Sequence, residues 1–219
     1  SDPNDKEIVS VLNTEVNKIL EGTSISISEA SFLFANNGSI AISDNEGTVS
    51  KSLAKHKIHI VLGGIDAIFT SINKVEFLLS MLSTYKYGRK LSSNNYIISG
   101  VKHPEESFGI EVLYLFMINN YRDILLLNKN QRKALNCIKC GMCQNVCPVY
   151  KTIGDEQYGA MLSGPIGLVN MPHFDERNTS ISYLCSVCGE CSKACPASIN
   201  IHKIILINRH QFSDLPEYS

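Results

Sequence analysis

Eight cysteines fall into two copies of one run, C-x2-C-x2-C-x3-C-P, and no other feature restricts the folding of this chain as strongly. The first copy is Cys137, Cys140, Cys143, Cys147 and Pro148; the second is Cys185, Cys188, Cys191, Cys195 and Pro196. Cysteines separated by two residues let one short loop present three thiolates to a common centre. The fourth thiolate of a tetrahedral set must come from further away. Glycine follows the second cysteine in both copies, as Gly141 and Gly189, where it permits φ > 0 or a close backbone approach. Proline after the fourth cysteine removes a backbone donor and fixes φ, which suits a loop end or the first turn of a helix.

This run is the bacterial signature for [4Fe–4S] clusters, in which the fourth cysteine of each motif ligates the other cluster. Two copies with no cysteine left over imply two clusters. Cys137, Cys140, Cys143 and Cys195 are the expected ligands of one, and Cys185, Cys188, Cys191 and Cys147 of the other. Crossed ligation ties the motifs into one unit and sets the clusters close together, as an electron relay requires. A disulfide framework is a competing use of eight cysteines, but it belongs to small secreted domains, and the chain shows no secretory signal. Structural zinc takes separated C-x2-C pairs and gives the extra cysteine and proline no role. Zinc remains the main alternative to iron–sulfur.

Composition narrows the partners. The net charge of −1 carries neither a nucleic-acid nor an anionic-membrane footprint, and no apolar run is long enough to span a bilayer. Residues 131–219 hold eight Lys/Arg against seven Asp/Glu, so strong electrostatic steering to a basic partner is not expected, and electron transfer within a stable complex is. Thiolates persist best in a reducing compartment, which makes the cytoplasm the expected location. The chain opens Ser1-Asp2 without methionine, as a processed or excised start would.

Periodicity divides the chain near residue 130. Residues 5–21 read as an amphipathic helix stopped at Gly22. Ser31–Ala35 and Ser39–Ser43 read as strands joined by the hairpin signal Asn36-Asn37-Gly38. Ile58–Leu62, Tyr96–Ser99 and Val112–Ile118 are further expected strands. Asn73–Leu82, with Asn73 as a candidate cap, and Arg122–Leu127 are expected helices. Interleaved strands and helices imply an α/β layer structure. Beyond residue 130 the strand pattern stops. Gln131–Asn136 and Ile201–Asn208 read as helical, and 37 residues separate Cys147 from Cys185, a spacing that suits an all-helical two-cluster ferredoxin.

The cysteine half resembles the iron–sulfur subunit of bacterial L-lactate utilisation, the LutB type. Ala134-Leu135-Asn136-Cys137-Ile138-Lys139-Cys140-Gly141 and Cys147-Pro148-Val149-Tyr150 carry the likeness. Tyr158-Gly159, Gly164-Pro165-Ile166-Gly167 and Ile199-Asn200-Ile201-His202 extend it. The Gly-Pro-Ile-Gly segment is one that cluster chemistry does not itself require. Upstream, residues 28–127 are similar to the LUD domain of that family, through Gly38-Ser39-Ile40, Asn45-Glu46-Gly47, His59-Ile60 and Gly64-Ile65. Three segments depart from the family pattern: Asn37 replaces a threonine, Tyr85-Lys86-Tyr87-Gly88 replaces Ser-Ala-Thr-Gly, and Asn119-Asn120-Tyr121-Arg122 replaces Asp-Asn-Gly-Arg. Small residues in such loops can bind an anion through backbone amides, and bulkier ones stand there now. The resemblance implies a LUD-like α/β domain, partial or shortened, over residues 1–127, and an all-helical ferredoxin domain over 128–219.

It further implies an electron-transfer subunit of a cytoplasmic lactate-oxidising complex, with LutA-like and LutC-like partner subunits. Two other functions are compatible with the residues: a LUD-domain enzyme acting on a small hydroxy acid beside the clusters, and a redox-sensing binding module. The chain carries no dinucleotide fingerprint, so hydride transfer to a nicotinamide is not expected of it. Asp44, Glu46 and Asp66 are carboxylate candidates for acid–base work, although turns and helix starts use carboxylates more often. His59, on an expected strand, reads as a satisfied core histidine before it reads as a ligand. His202 opens the last helix beside the second motif, where capping competes with a hydrogen bond that tunes a cluster. Ile138, Val146, Val149, Val187 and Ile199 are expected to keep water from the clusters.

Overall fold

A computed structural model describes residues 5–44, 47–90, 94–158, 163–174 and 176–212. The chain divides into two compact units, residues 1–75 with 92–118, and residues 76–91 with 119–219.

The first unit contains helices α1 (Asp5–Glu21) and α2 (Thr48–Lys55) and strands β1 (Ile25–Glu29), β2 (Phe32–Phe34), β3 (Ile40–Asp44), β4 (Ile58–Gly64), β5 (Ile68–Phe69), β6 (Asn94–Ile98) and β7 (Val112–Ile118). β1, β4 and β7 form an all-parallel sheet in which Ile27, Ile60 and Tyr114 stand in register. β5, β2, β3 and β6 form a mixed sheet. The Asn36-Asn37-Gly38 signal does make the β2–β3 hairpin. Gly38 takes φ 71, and the Asn37 Oδ1 accepts the Ser39 N–H at 3.1 Å. Leu33, Ile40, Ile42, Val61, Ile98 and Ile110 close the core of this unit.

β1 was not anticipated from the sequence, because its alternation is inverted. Ser26 and Ser28 point inward to His59, while Ile25 and Ile27 face solvent at 50% and 65% exposure. A period-two pattern read for apolar-in, polar-out misses such a strand. Gly63 is confined for a plainer reason: a Cβ there would lie 2.7 Å from Leu33 Cδ1.

The second unit contains α3 (Glu76–Tyr87), α4 (Arg122–Leu127), α5 (Met142–Asn145), α6 (Pro148–Ile153), α7 (Gly164–Phe174), α8 (Glu190–Lys193) and α9 (Ile201–Gln211). Among the described residues no strand follows Ile118, as the all-helical expectation requires. Two details differ from the sequence reading. Asn73 does not cap α3; it sits in a 3-10 turn, Ile72–Lys74, ahead of it. The stretch before the first cysteine is a 3-10 helix, Arg132–Asn136.

α7 is the packing centre of this unit, and it contains Pro172. Proline has no N–H, so the Leu168 carbonyl four residues earlier loses its helical donor. Asn208 on α9 replaces that donor: its Nδ2 reaches the Leu168 carbonyl at 3.3 Å and the Val169 carbonyl at 2.9 Å. Its Oδ1 accepts from Gln131 Nε2 at 2.6 Å. Asn208 and Gln131 are both fully buried, so these bonds are made without competition from water. Ala134, Leu168, Val169, Ile199, Ile201, Ile204 and Ile205 form the surrounding apolar core, together with Cys143, Cys191 and Tyr158.

Candidate iron–sulfur centres

The two cysteine loops are near copies in backbone as well as in sequence. In the first, Lys139 takes φ 56 and Gly141 φ 75; in the second, Val187 takes φ 59 and Gly189 φ 81. Left-handed conformation costs a β-branched residue such as Val187 roughly 1–2 kcal/mol, so the turn is held by what surrounds it. The turn aims an N–H at the first sulfur of each loop: Lys139 N–H to Cys137 Sγ at 3.4 Å, and Val187 N–H to Cys185 Sγ at 3.3 Å. Each glycine then starts a one-turn helix, α5 or α8, that carries the third cysteine inward. The loops diverge at the fourth cysteine. Cys147 caps α6, its sulfur accepting the Tyr150 N–H at 3.4 Å. Cys195 leads into a turn in which the Ser198 N–H bonds to the Cys195 carbonyl at 3.0 Å.

All eight cysteines are free thiols; Cys143 and Cys191 are buried, Cys188 is exposed and the other five are half-buried. Cys195 bears on Cys137 and Cys140, and Cys147 bears on Cys185. Cys143 feels Cys137, Cys140 and Cys191. Burial pushes the Cys137 and Cys191 thiols up to about 11 and Cys143 to about 12. Inward thiols of this kind stay protonated at neutral pH unless a cation binds them, and metal loading then releases their protons.

Several supports were not visible in the sequence. Ile166, in the first turn of α7, works against the burial that raises the Cys143 thiol, which relates the Gly-Pro-Ile-Gly segment to the cysteine loops. Gln144 anchors that turn through Ser163, its Nε2 donating to the Ser163 carbonyl at 3.1 Å and hydroxyl at 2.8 Å. Arg209 of α9 donates to the Ser182 carbonyl at 2.8 Å and the Cys185 carbonyl at 2.5 Å. Its cation favours the Cys185 thiolate against the burial that raises that thiol. No spacing rule connects a helix arginine to a loop 24 residues earlier.

Two comparisons with known proteins bear on this arrangement. Residues 133–199 match the family model of the 4Fe-4S dicluster domain, and residues 2–115 match that of the LUD domain. The chain belongs to the LUD-domain family. It is similar to the Lactate utilization protein B of Shouchella clausii, at 31% identity over 96% of this chain and 45% of the relative. It is 35% identical to the proteins of that name from Bacillus velezensis, over 88% of this chain and 40% of the relative, and Geobacillus kaustophilus, over 84% and 39%. The chain thus spans less than half the length of these curated relatives. No solved structure gives a significant match.

A dicluster domain with eight cysteines carries two [4Fe–4S] clusters, and the residues of this LUD-domain protein fit them. The donors are soft thiols, and the fully buried hydroxyl of Tyr158 has no hydrogen-bond partner among the described residues. Ile199 is fully buried beside the loops, while Ile138, Val146, Val149 and Val187 are half-buried. His202 is half-buried and bound to Ser192: its Nδ1 lies 2.8 Å from the Ser192 Oγ, which also accepts the His202 N–H at 3.1 Å. That pairing ties α9 to α8.

The remaining candidates lie in the LUD unit. Asp44 Oδ2 accepts the Val49 N–H at 3.0 Å and so supports the start of α2. Asp66 lies in a 3-10 turn, Ile65–Ala67. Glu46, and Gly159 of the Tyr158-Gly159 pair, lie outside the described residues. His59 is fully buried between serines, with Ser26 Oγ 2.6 Å from Nδ1 and Ser28 Oγ 2.9 Å from Nε2. Burial holds its pKa below the ordinary histidine value, with His56 adding to the effect. Tyr121 stands where the family has glycine and still takes φ 62. A cleft of 610 Å³ lies between Leu53 and the 97–110 segment. Its lining is chiefly apolar, and its cation, Lys102, is paired with Glu111 at 3.0 Å.

Proposed function

We propose that this protein relays electrons in L-lactate oxidation, as an iron–sulfur subunit that does not itself bind the lactate. Cys137, Cys140, Cys143 and Cys195 hold one cluster, and Cys185, Cys188, Cys191 and Cys147 hold the other. Bound in these groups, the clusters supply reversible one-electron chemistry. The protein's own part is to hold and shield. Each loop supplies three sulfurs and an N–H to its first sulfur, the neighbouring loop supplies the fourth, and Ile199 with the half-buried valines limits water. Lactate is oxidised on a partner subunit, with LutA-like and LutC-like proteins as the partners and the cytoplasm as the compartment. By sequence the LUD-like α/β domain, partial or shortened, takes residues 1–127 and the helical ferredoxin domain 128–219, although residues 76–91 and 119–127 group with the second compact unit.

What supports this reading is the pair of C-x2-C-x2-C-x3-C-P runs inside a segment that matches the 4Fe-4S dicluster domain. Anaerobically purified protein is expected to hold about eight iron and eight sulfide per chain. It should cycle reversibly between dithionite and a mild oxidant, and L-lactate alone should leave the oxidised protein unbleached. Zinc in place of iron would overturn the relay. Bleaching by lactate alone would instead make the chain an enzyme in its own right.

A further inference from the structure

The parallel sheet of the first unit is covered on one side only. Ser26, His59 and Val61 are buried on the core side, where Val49 and Leu53 of α2 pack. Parallel sheets ordinarily bury both faces, because their crossovers lay helices on each. The alternate positions of all three strands instead form an open and almost wholly apolar face. Ile27, Ile60 and Tyr114 make its central row, and Leu62 stands beside Phe116 in the next. Tyr114 is 51% exposed and Phe116 54%; Ile25, Val112 and Ile118 are exposed as well.

Seven side chains on this face, each 37–65% exposed, present roughly 700 Å² of apolar surface, at about 200 Å² for a whole side chain. The largest apolar patch of a monomer is ordinarily about 300–600 Å². A standard interface takes about 800 Å² from each partner, so this face comes close to what a stable contact needs. Glu29, at the end of β1, is the one charge among these strand positions. An unlike partner of either sign finds little here to match, whereas a two-fold contact asks only that a surface suit itself.

We propose that the open face of the β1–β4–β7 sheet binds the same face of a second copy of this chain. The two sheets stack about 10 Å apart, as packed sheets do, with the row of Ile27 and Tyr114 near the two-fold axis. Each copy then supplies the cover that the other lacks. The pairing is independent of what the cysteine loops hold.

The test is sedimentation of the full chain, loaded and anaerobic, over a range of concentrations. A dimer is expected at about 10 µM. Ile27→Lys brings one charge from each copy into the middle of the contact and should weaken pairing about 100-fold. Phe108→Lys, at an 82% exposed residue outside both sheets, should leave pairing unchanged. Wild-type protein that stays monomeric at about 100 µM overturns the proposal. A dimer that Ile27→Lys leaves intact uses another surface and overturns it too, as does equal weakening by both variants. A complex in which a different polypeptide takes the face has the same consequence. Should Ile27→Lys not fold, Tyr114→Lys in the same row must give the same loss, and an intact dimer there overturns the proposal equally.

Discussion

Asn208→Ala tests whether the helical unit is held together by the repair of the proline in α7. The substitution removes the donor to the Leu168 and Val169 carbonyls and the acceptor for Gln131 Nε2. These groups sit in a site where Asn208 and Gln131 have no exposure, so water does not replace the lost partner. A stranded buried polar group costs about 1–3 kcal/mol. The Val169 carbonyl can still use a helical donor, but the Leu168 carbonyl cannot, because position 172 is proline. The sum is about 3 kcal/mol, or roughly a 100-fold larger opening constant. Equilibrium unfolding is a poor assay for a chain that loses clusters irreversibly. Hydrogen exchange across α7 and α9 in the loaded, anaerobic protein reports the local opening directly. The decisive comparison is a double-mutant cycle with Pro172→Ala, which gives the Leu168 carbonyl a backbone donor. In that background Asn208→Ala should cost about 1 kcal/mol less. Additivity within about 0.3 kcal/mol would refute the repair argument.

Three further outcomes follow from the same geometry. If the ligands cross between loops, Cys195→Ala and Cys137→Ala should leave the same residual cluster signal, and Cys147→Ala should pair with Cys185→Ala; pairing within each loop instead refutes the assignment. Arg209→Met removes the donor to the Ser182 and Cys185 carbonyls and the cation near the Cys185 sulfur, so the second loop should lose iron to a chelator about tenfold faster than the first, seen as two-phase bleaching. His59 is held below its unfolded pKa of 6.5, so the unfolded chain binds more protons and the stabilising contribution is present above that pH. It should be lost as pH falls below 6.5 toward the folded value, and His59→Gln should flatten the acid limb of hydrogen-exchange protection in β1 and β4, corrected for the intrinsic exchange rate; an unchanged limb counts against the neutral, serine-bound histidine.

Much of the fold was legible because its signals are local. The hairpin at Asn36-Asn37-Gly38, the span of α4 and the end of α1 at Gly22 each follow from turn chemistry or short-range periodicity. The reading lost ground where burial inverted the usual code. β1 turns serines inward because a buried histidine needs partners on both ring nitrogens, and α7 runs through a proline because a distant asparagine supplies the missing donor. Asn73, a plausible cap by type, is displaced by a 3-10 turn that starts one residue earlier.

The sequence alone determined which atoms can hold the clusters and how their loops must turn. Sulfur spacing and the paired glycines act within a dozen residues, and nothing distant can change that geometry much. Tertiary structure decided which groups stand around those sulfurs. Arg209 bound to the Cys185 carbonyl and Gln144 bound to Ser163 join residues that only packing brings together. The physical reason is range. A loop conformation is fixed by its own dihedrals, whereas a buried hydrogen bond such as Gln131 to Asn208, 77 residues apart, exists only once the core has closed and water has been excluded.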